Sequence, residues 1–331
     1  MEIIISYKLL NLLSAWTRVF INMFKITIIA LVLFFFIAVF IFLFRNPLDA
    51  LPKTKEEISV IEGNSIYLES RIIRFYTIID SNLGKISIAV SFPDPIPLDP
   101  LPVLFILGGL ETGFDSVKYI PDIGNNILVG YDWLVNKSSL SGKKIFFDFP
   151  KIYSDVYKSP GQIAGALEWV SKQSWSDDKR INFLGFSLGA IVLPSAQHII
   201  EEKKLVKIRK TVIAYGGAKI GLLLNSNKNF KPAWLKPFLG WIIQVLFNPL
   251  DPKEHLPYIS GNFLLIGGSN DEFIPKESFA LINNLTPNPK KTIILEGKHM
   301  GVGKNQKDLL NKIIKDTRMW LKEDKAINSR Y

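Results

Sequence analysis

The sequence predicts an α/β domain, a mostly parallel central sheet with helices on both faces, behind one N-terminal transmembrane helix. Three observations carry this reading. Short β-branched or apolar segments alternate with helical patterns over the later part of the chain, which calls for parallel strands joined by helical crossovers. A serine flanked by glycines stands between one such strand and the helix that follows it. Near the start, 19 residues from Ile26 to Phe44 carry no charge.

That uncharged run is interrupted only by Thr27 and is bracketed by Lys25 and Arg45. As a helix it covers about 29 Å, close to the hydrocarbon thickness of a bilayer. It is longer than the ~7–15-residue apolar region of a cleavable signal, and no small-x-small site follows it, so an uncleaved anchor is expected. The stretch from Ile3 to Phe24, with Trp16, Phe20, Lys8 and Arg18, reads as an amphipathic helix lying in the membrane interface. Lys8, Arg18 and Lys25 precede the span and Arg45, Lys53 and Lys55 follow it, so the positive-inside rule does not orient it. The habit of N-terminal anchors places the large domain on the outer, non-cytoplasmic side. The expected division is a single-pass anchor over residues 1–50 and one large folded domain over 51–331.

Bulk properties exclude several classes. Of 331 residues, 48% are hydrophobic and 21% charged, as in an ordinary folded protein. The chain has no cysteine, which removes disulfides, thiolate metal sites and a cysteine nucleophile. The formal charge of +10 is spread out, with one local cluster at Lys203, Lys204, Lys207, Arg209 and Lys210. No recognition helix, zinc finger or RNA-binding signature accompanies it. Nucleic acid is therefore not an expected partner; the basic residues make a solvated face or one drawn to anionic lipid.

Strands are expected at Ile72–Ile79, Lys85–Phe92, Val103–Leu107, Asn126–Asp132, Arg180–Gly185, Lys210–Tyr215, Gly261–Gly267 and Lys291–Leu295. Helices are expected at Pro160–Gln173, Gly189–Lys203 and Asn305–Lys322. No helical pattern separates the first two strands, so the sheet should begin antiparallel.

The chemistry centres on Gly185-Phe186-Ser187-Leu188-Gly189. A serine at the tip of a sharp strand-to-helix turn is held in a strained conformation, and its neighbours two residues away must lack side chains. Such a turn lifts the hydroxyl above the sheet and aims the helix N-terminus at the reaction centre. A plain glycine-rich turn would share the pattern. An alcohol needs a base to take its proton at neutral pH, and the chain has three histidines. His198 lies far along the helix after Ser187, and His255 sits in a proline-flanked stretch that no strand delivers. His299 follows the strand Lys291–Leu295 in a glycine-bearing turn, where a parallel sheet places its ligands. The group that would orient this imidazole is Asp271, after the strand Gly261–Gly267, with Glu272 as its rival.

On these residues the chain resembles the α/β-hydrolase superfamily over residues 66–325. The order Ser, Asp, His, the Gly-x-Ser-x-Gly turn, the Asp-x-x-Ile-Pro segment from Asp271 and the His299 turn all match. The resemblance implies Ser187 as nucleophile, Asp271 as acid and His299 as base. It also implies an oxyanion hole of two backbone N–H groups, one from Leu188 and one from the loop Leu107–Gly113. That loop lacks the histidine with which it often begins in the family, so the register stays open between Leu110, the first choice, and Gly109.

An insertion over residues 216–258 is expected to form a small lid. Within it, Pro237–Phe247 reads as a helix apolar almost all round, either packed on the core or lining the substrate pocket with Phe238 and Trp241. The overall expectation is a serine hydrolase of carboxylic esters, with a small-molecule ester of lipophilic acyl chain, lipids included, as its substrate. The bilayer is expected as a partner through residues 26–44, and no metal or organic cofactor is expected. A peptidase, a thioesterase or acyltransferase, and a silent hydrolase fold that only binds remain alternatives.

Overall fold

The structure, a computed structural model, describes residues 2–54, 58–68, 70–120, 124–135, 144–226, 232–301 and 306–329, with side chains left out at 2–15, 144–146 and 225–226. The chain divides into two compact units, residues 1–45 and 46–331.

The first unit is one helix, α1, from Glu2 to Phe44. Its stretch Trp16–Phe44 is long and apolar enough to cross a membrane. The separate interfacial helix expected before the span is not seen. Neither glycine nor proline occurs between Ile3 and Phe44, so nothing breaks the hydrogen-bond ladder between the two halves.

Among the described residues, the second unit is built on nine strands. They are β1 (Ile58–Leu68), β2 (Arg71–Asp80), β3 (Gly84–Pro93), β4 (Leu101–Leu107), β5 (Ile127–Tyr131), β6 (Ser176–Phe186), β7 (Ile208–Ala214), β8 (Phe263–Gly268) and β9 (Lys290–Leu295). Their order across the sheet is β1-β2-β3-β5-β4-β6-β7-β8-β9. Pairing is antiparallel from β1 to β5 through β2 and β3, and parallel from β5 to β9. The antiparallel start and parallel remainder agree with the sequence expectation. β1, which was not expected, adds an outer strand with every residue exposed.

All seven residues of β4 are buried, because a parallel strand covered on both faces buries both sets of side chains. Val103, Phe105 and Leu107 join the core on one face, while Leu104 and Ile106 join the core on the other. The first face is covered by α2 (Lys144–Ser171), α3 (Leu188–Glu202) and α7 (Lys276–Leu285), through residues such as Leu167, Leu193 and Ile282. The second is covered by α8 (Lys307–Glu323), through Ile313, Trp320 and Leu321.

Among its described residues, the insertion between β7 and β8 holds three short α-helices, α4 (Gly221–Ser226), α5 (Lys236–Phe247) and α6 (Pro252–His255). Its two ends are tied by Asp251, which is fully buried. The Asp251 carboxylate accepts from Lys219 N and Ile220 N at 2.8 Å, Gln244 Nε2 at 2.8 Å and Lys253 N at 3.0 Å. Buried donors left without such a partner would each cost free energy, so this one carboxylate fixes the insertion over the sheet.

Candidate active site

The C-terminal ends of the parallel strands share one edge of the sheet, and the candidate residues meet there. Ser187 follows β6 directly and adopts φ 54° and ψ −114°. A non-glycine residue in that region stores about 1–3 kcal/mol and persists only when its surroundings enforce it. The two flanking glycines explain how. A Cβ on Gly185 would lie 2.7 Å from the Gly189 carbonyl oxygen, and one on Gly189 would lie 2.6 Å from the Leu107 Cβ. Backbone therefore packs where side chains would stand, and α3 starts at once with Leu188.

Three side chains from different strand ends form one hydrogen-bonded row. Ser187 Oγ lies 2.8 Å from His299 Nε2. His299 Nδ1 lies 2.8 Å from Asp271 Oδ2 and 3.0 Å from its Oδ1. An ionised carboxylate can only accept, so Nδ1 carries the ring hydrogen and Nε2 is left to accept from the serine hydroxyl. Asp271 is itself oriented by the backbone, accepting from Phe273 N at 2.8 Å and Ile274 N at 2.9 Å. His299 is 7% exposed.

The sequence did not reveal three further contributors. Glu272, the rival acid, does not touch the imidazole; its carboxylate accepts from His299 N at 2.8 Å. Gln306 Nε2 donates to the His299 carbonyl at 2.9 Å, so both backbone ends of the histidine are held. Tyr215, just past β7 with φ 58°, meets the His299 ring edge-on at 5.6 Å between centroids. Burial, with the Asp271 charge adding to it, pushes the Tyr215 hydroxyl up to about 12. A positive-φ residue directly after a strand leaves no mark in the sequence, whereas Glu272 could have been suspected from its place beside Asp271.

Ser187 and His299 open onto a cavity of about 870 Å³, lined also by Gly108, Gly109, Leu110 and Leu188 and otherwise mainly by apolar side chains such as Ile191, Leu223 and Ile243. Gly109 stands against the serine: a Cβ there would be 3.7 Å from the Ser187 Cβ.

Phe238 and Trp241 do not line this cavity, contrary to expectation. They stack on each other at 6.4 Å on the outer face of α5, 58% and 41% exposed. The reason is polar. Gln244 turns inward to Asp251 and donates to it, and its Oε1 accepts from Gly221 N at 3.1 Å. That fixes the rotation of α5 so that Ile243 faces the cavity and the 238/241 pair faces away.

His198 and His255 lie apart from this row. His255 is fully buried and its Nε2 donates to the Pro249 carbonyl at 2.8 Å, leaving Nδ1 to accept from His198 Nδ1 at 3.1 Å. Burial holds His255 down to about 4, against the weaker upward pull of the Pro249 carbonyl.

No protein-family model matches the sequence, and no curated protein matches it. Solved structures do. An acetyl xylan esterase from Paenibacillus sp. R4 superposes with a TM-score of 0.56 at 14% identity, over 82% of this chain and 99% of that one. Acetyl xylan esterase 1 from Thermoanaerobacterium sp. JW/SL YS485 gives 0.53 at 17% identity, over 84% and 93%. A hyperthermophilic esterase from the archaeon Pyrobaculum calidifontis gives 0.51 at 13% identity, over 86% and 90%. With the parallel sheet and the strand-end geometry above, these likenesses show that the chain has the α/β-hydrolase fold.

Proposed function

We propose that the chain is a membrane-anchored serine hydrolase that cleaves carboxylic esters with lipophilic acyl chains, through Ser187, His299 and Asp271. The observation that carries this is the unbroken row from Ser187 Oγ to His299 Nε2, at 2.8 Å, and from His299 Nδ1 to the Asp271 carboxylate. The esterases among the structural neighbours favour an ester over an amide or thioester.

In this reading Ser187 Oγ attacks the ester carbonyl as its proton passes to His299 Nε2. Asp271 holds the imidazole in the required tautomer and stabilises its charged form. The carbonyl oxygen becomes an oxyanion, received by backbone N–H groups. Leu188 N stands at the positive end of α3. For the second donor, the geometry favours Leu110 over Gly109. The Gly109 carbonyl accepts from Thr112 N at 3.1 Å, Thr112 Oγ1 at 3.0 Å and Gly113 N at 3.2 Å, which turns it into its own loop. In a trans peptide the next N–H points the opposite way, so Leu110 N is turned out of that loop. His299 then returns the proton to the departing alcohol, leaving an acyl-serine. Water, deprotonated by His299, releases the acid and restores the serine hydroxyl. Each oxyanion donor is worth about 3 kcal/mol of transition-state stabilisation.

The mainly apolar cavity supports a lipophilic acyl group, since such walls reward each buried methylene. The same reading assigns residues 1–50 to a membrane anchor spanning at about 26–44, residues 51–331 to the hydrolase domain with its lid over 216–258, and the outer side of the membrane to that domain. Labelling with a fluorophosphonate probe tests the enzyme reading. Wild type is expected to label and Ser187→Ala not to. An unlabelled wild type that nevertheless binds ester analogues would leave a binding protein instead.

A further inference from the structure

The insertion carries an aromatic face that the chemistry above does not use. Trp234 is 77% exposed, and on the next turns Phe238 and Trp241 stack outward on α5. Elsewhere on the domain, Phe147 near the start of α2 is 83% exposed. Exposed aromatic surface of this extent in a folded domain marks an interaction site.

Two observations identify what covers it. From Lys219 to Phe247 the sequence has four lysines and no acidic residue. Tryptophan and phenylalanine among lysines suit the boundary between anionic headgroups and acyl chains. The second is where the tether arrives. Only Arg45 and Asn46 separate the last residue of α1 from the short 3-10 helix Pro47–Ala50, a reach of about 11 Å at most. Asn46 caps that helix, its side chain accepting from Leu48 N at 3.0 Å, and Leu48 and Leu51 are buried in the core of the second unit. There Pro47–Ala50 packs against Asn248–Leu250, the turn that directly follows α5. The chain thus leaves the domain for its apolar helix beside the C-terminal end of α5.

We propose that the face formed by Trp234, Phe238 and Trp241 docks on the lipid bilayer, while the opposite face of α5, through Ile243, walls the cavity above Ser187. The inference rests on the membrane-span reading of α1 made under the proposed function. Docked this way, one helix separates lipid from active site, and an ester lying in the acyl layer has a short path to Ser187 around or beneath it.

The absence of cysteine makes the test direct. Phe238→Cys, Trp241→Cys, Met319→Cys on α8 and Leu33→Cys in α1 are each spin-labelled in the full chain. The proteins are reconstituted into phosphatidylcholine–phosphatidylglycerol vesicles, and collision with oxygen and with an aqueous nickel complex is compared. Hydrolysis of p-nitrophenyl acetate reports that each labelled protein is folded, and Trp234→Cys replaces either aromatic variant that fails this check. Labels at 238 and 241 are expected about 5–10 Å into the headgroup–acyl boundary, with 319 aqueous and 33 deep. Aqueous labels at 238 and 241 with a deep label at 33 overturn the docking and leave the span intact. An aqueous label at 33 overturns the span and the docking with it.

Discussion

On the proposed reading, replacing Ile243 with tryptophan should shift the ester preference from long towards short acyl chains. Ile243 is the α5 side chain that reaches the cavity of about 870 Å³, from the face opposite Trp241. The larger indole fills the space that the far end of an acyl chain would occupy, and leaves untouched the row Ser187–His299–Asp271. Octanoate exceeds butyrate by four methylenes, each worth about 0.8 kcal/mol when buried. Their sum, about 3 kcal/mol, sets a ceiling of roughly two orders of magnitude on the wild-type preference in kcat/KM. The assay is the ratio of kcat/KM for p-nitrophenyl octanoate and butyrate, with both esters below their micellar concentration. Ile243→Trp should collapse that ratio with little change for butyrate, whereas Trp241→Ala should leave the ratio as it is in detergent solution. A wild type that prefers butyrate, or a ratio indifferent to Ile243→Trp, would refute the assignment of this cavity to the acyl chain.

Three further outcomes are expected. Ser187→Ala and His299→Ala should each abolish hydrolysis, with the double variant little worse than either, because the row acts as a unit; His198→Ala should keep turnover, and activity measured beside circular dichroism checks this. Asp251→Ala should destabilise the domain by about 1–3 kcal/mol for each buried N–H it strips of its acceptor, read as a lower urea midpoint, and should lower octanoate turnover more than butyrate turnover. His255 is held down to about 4 in the fold, against about 6.5 in the unfolded chain. The neutral form is the one the fold favours, so this contribution is fully present above pH 6.5 and is lost as the pH falls from there through 4. Up to about 3 kcal/mol is at stake, and urea titrations of wild type and His255→Gln should show a shallower acid-side slope in the variant.

The parts of this protein that were legible in the sequence are those in which local chemistry and tertiary environment agree. Gly185 and Gly189 mark the serine turn because backbone occupies the space of their missing side chains, and buried strands such as β4 announce themselves as continuous apolar runs. β1 was invisible because it is exposed throughout, so no alternation separates an inner face from an outer one. A helix was expected over Pro160–Gln173; α2 begins at Lys144 and passes through both Pro150 and Pro160. Burial of Ile152, and of Tyr157 against the core, holds the earlier turns despite the lost backbone bonds. The segment Pro237–Phe247 was read correctly as a helix and misread in its rotation, because an all-round apolar helix carries no facing signal of its own. The facing comes from Gln244 reaching Asp251 and from the Tyr157 hydroxyl donating to the Leu246 carbonyl at 2.6 Å, contacts that exist only once the chain is folded.

The spacing of the candidate site follows from the register of the sheet. Asp271 comes three residues after Gly268, and His299 four residues after Leu295, and these two strand ends are paired with each other. The pairing continues past them, Ser269 N donating to the Leu295 carbonyl at 2.9 Å and Asn270 N to the Gly297 carbonyl at 3.0 Å. Asp271 and His299 are therefore brought together by adjacent strands, and a slip of one residue would separate them. The serine is a different problem. It sits on β6, three strands from β9, or about 14 Å at the usual strand spacing. The turn after β9 must fold back across the sheet to close that distance. Gly297 permits it, with φ 142°, a conformation a side chain would resist. The returning imidazole crosses over the end of β7, and the residue found there is Tyr215, its ring edge-on to His299. Tyr215 thus supports the span between His299 and Ser187, which accounts for a buried phenol in a strained backbone position beneath the side chain that reaches Ser187.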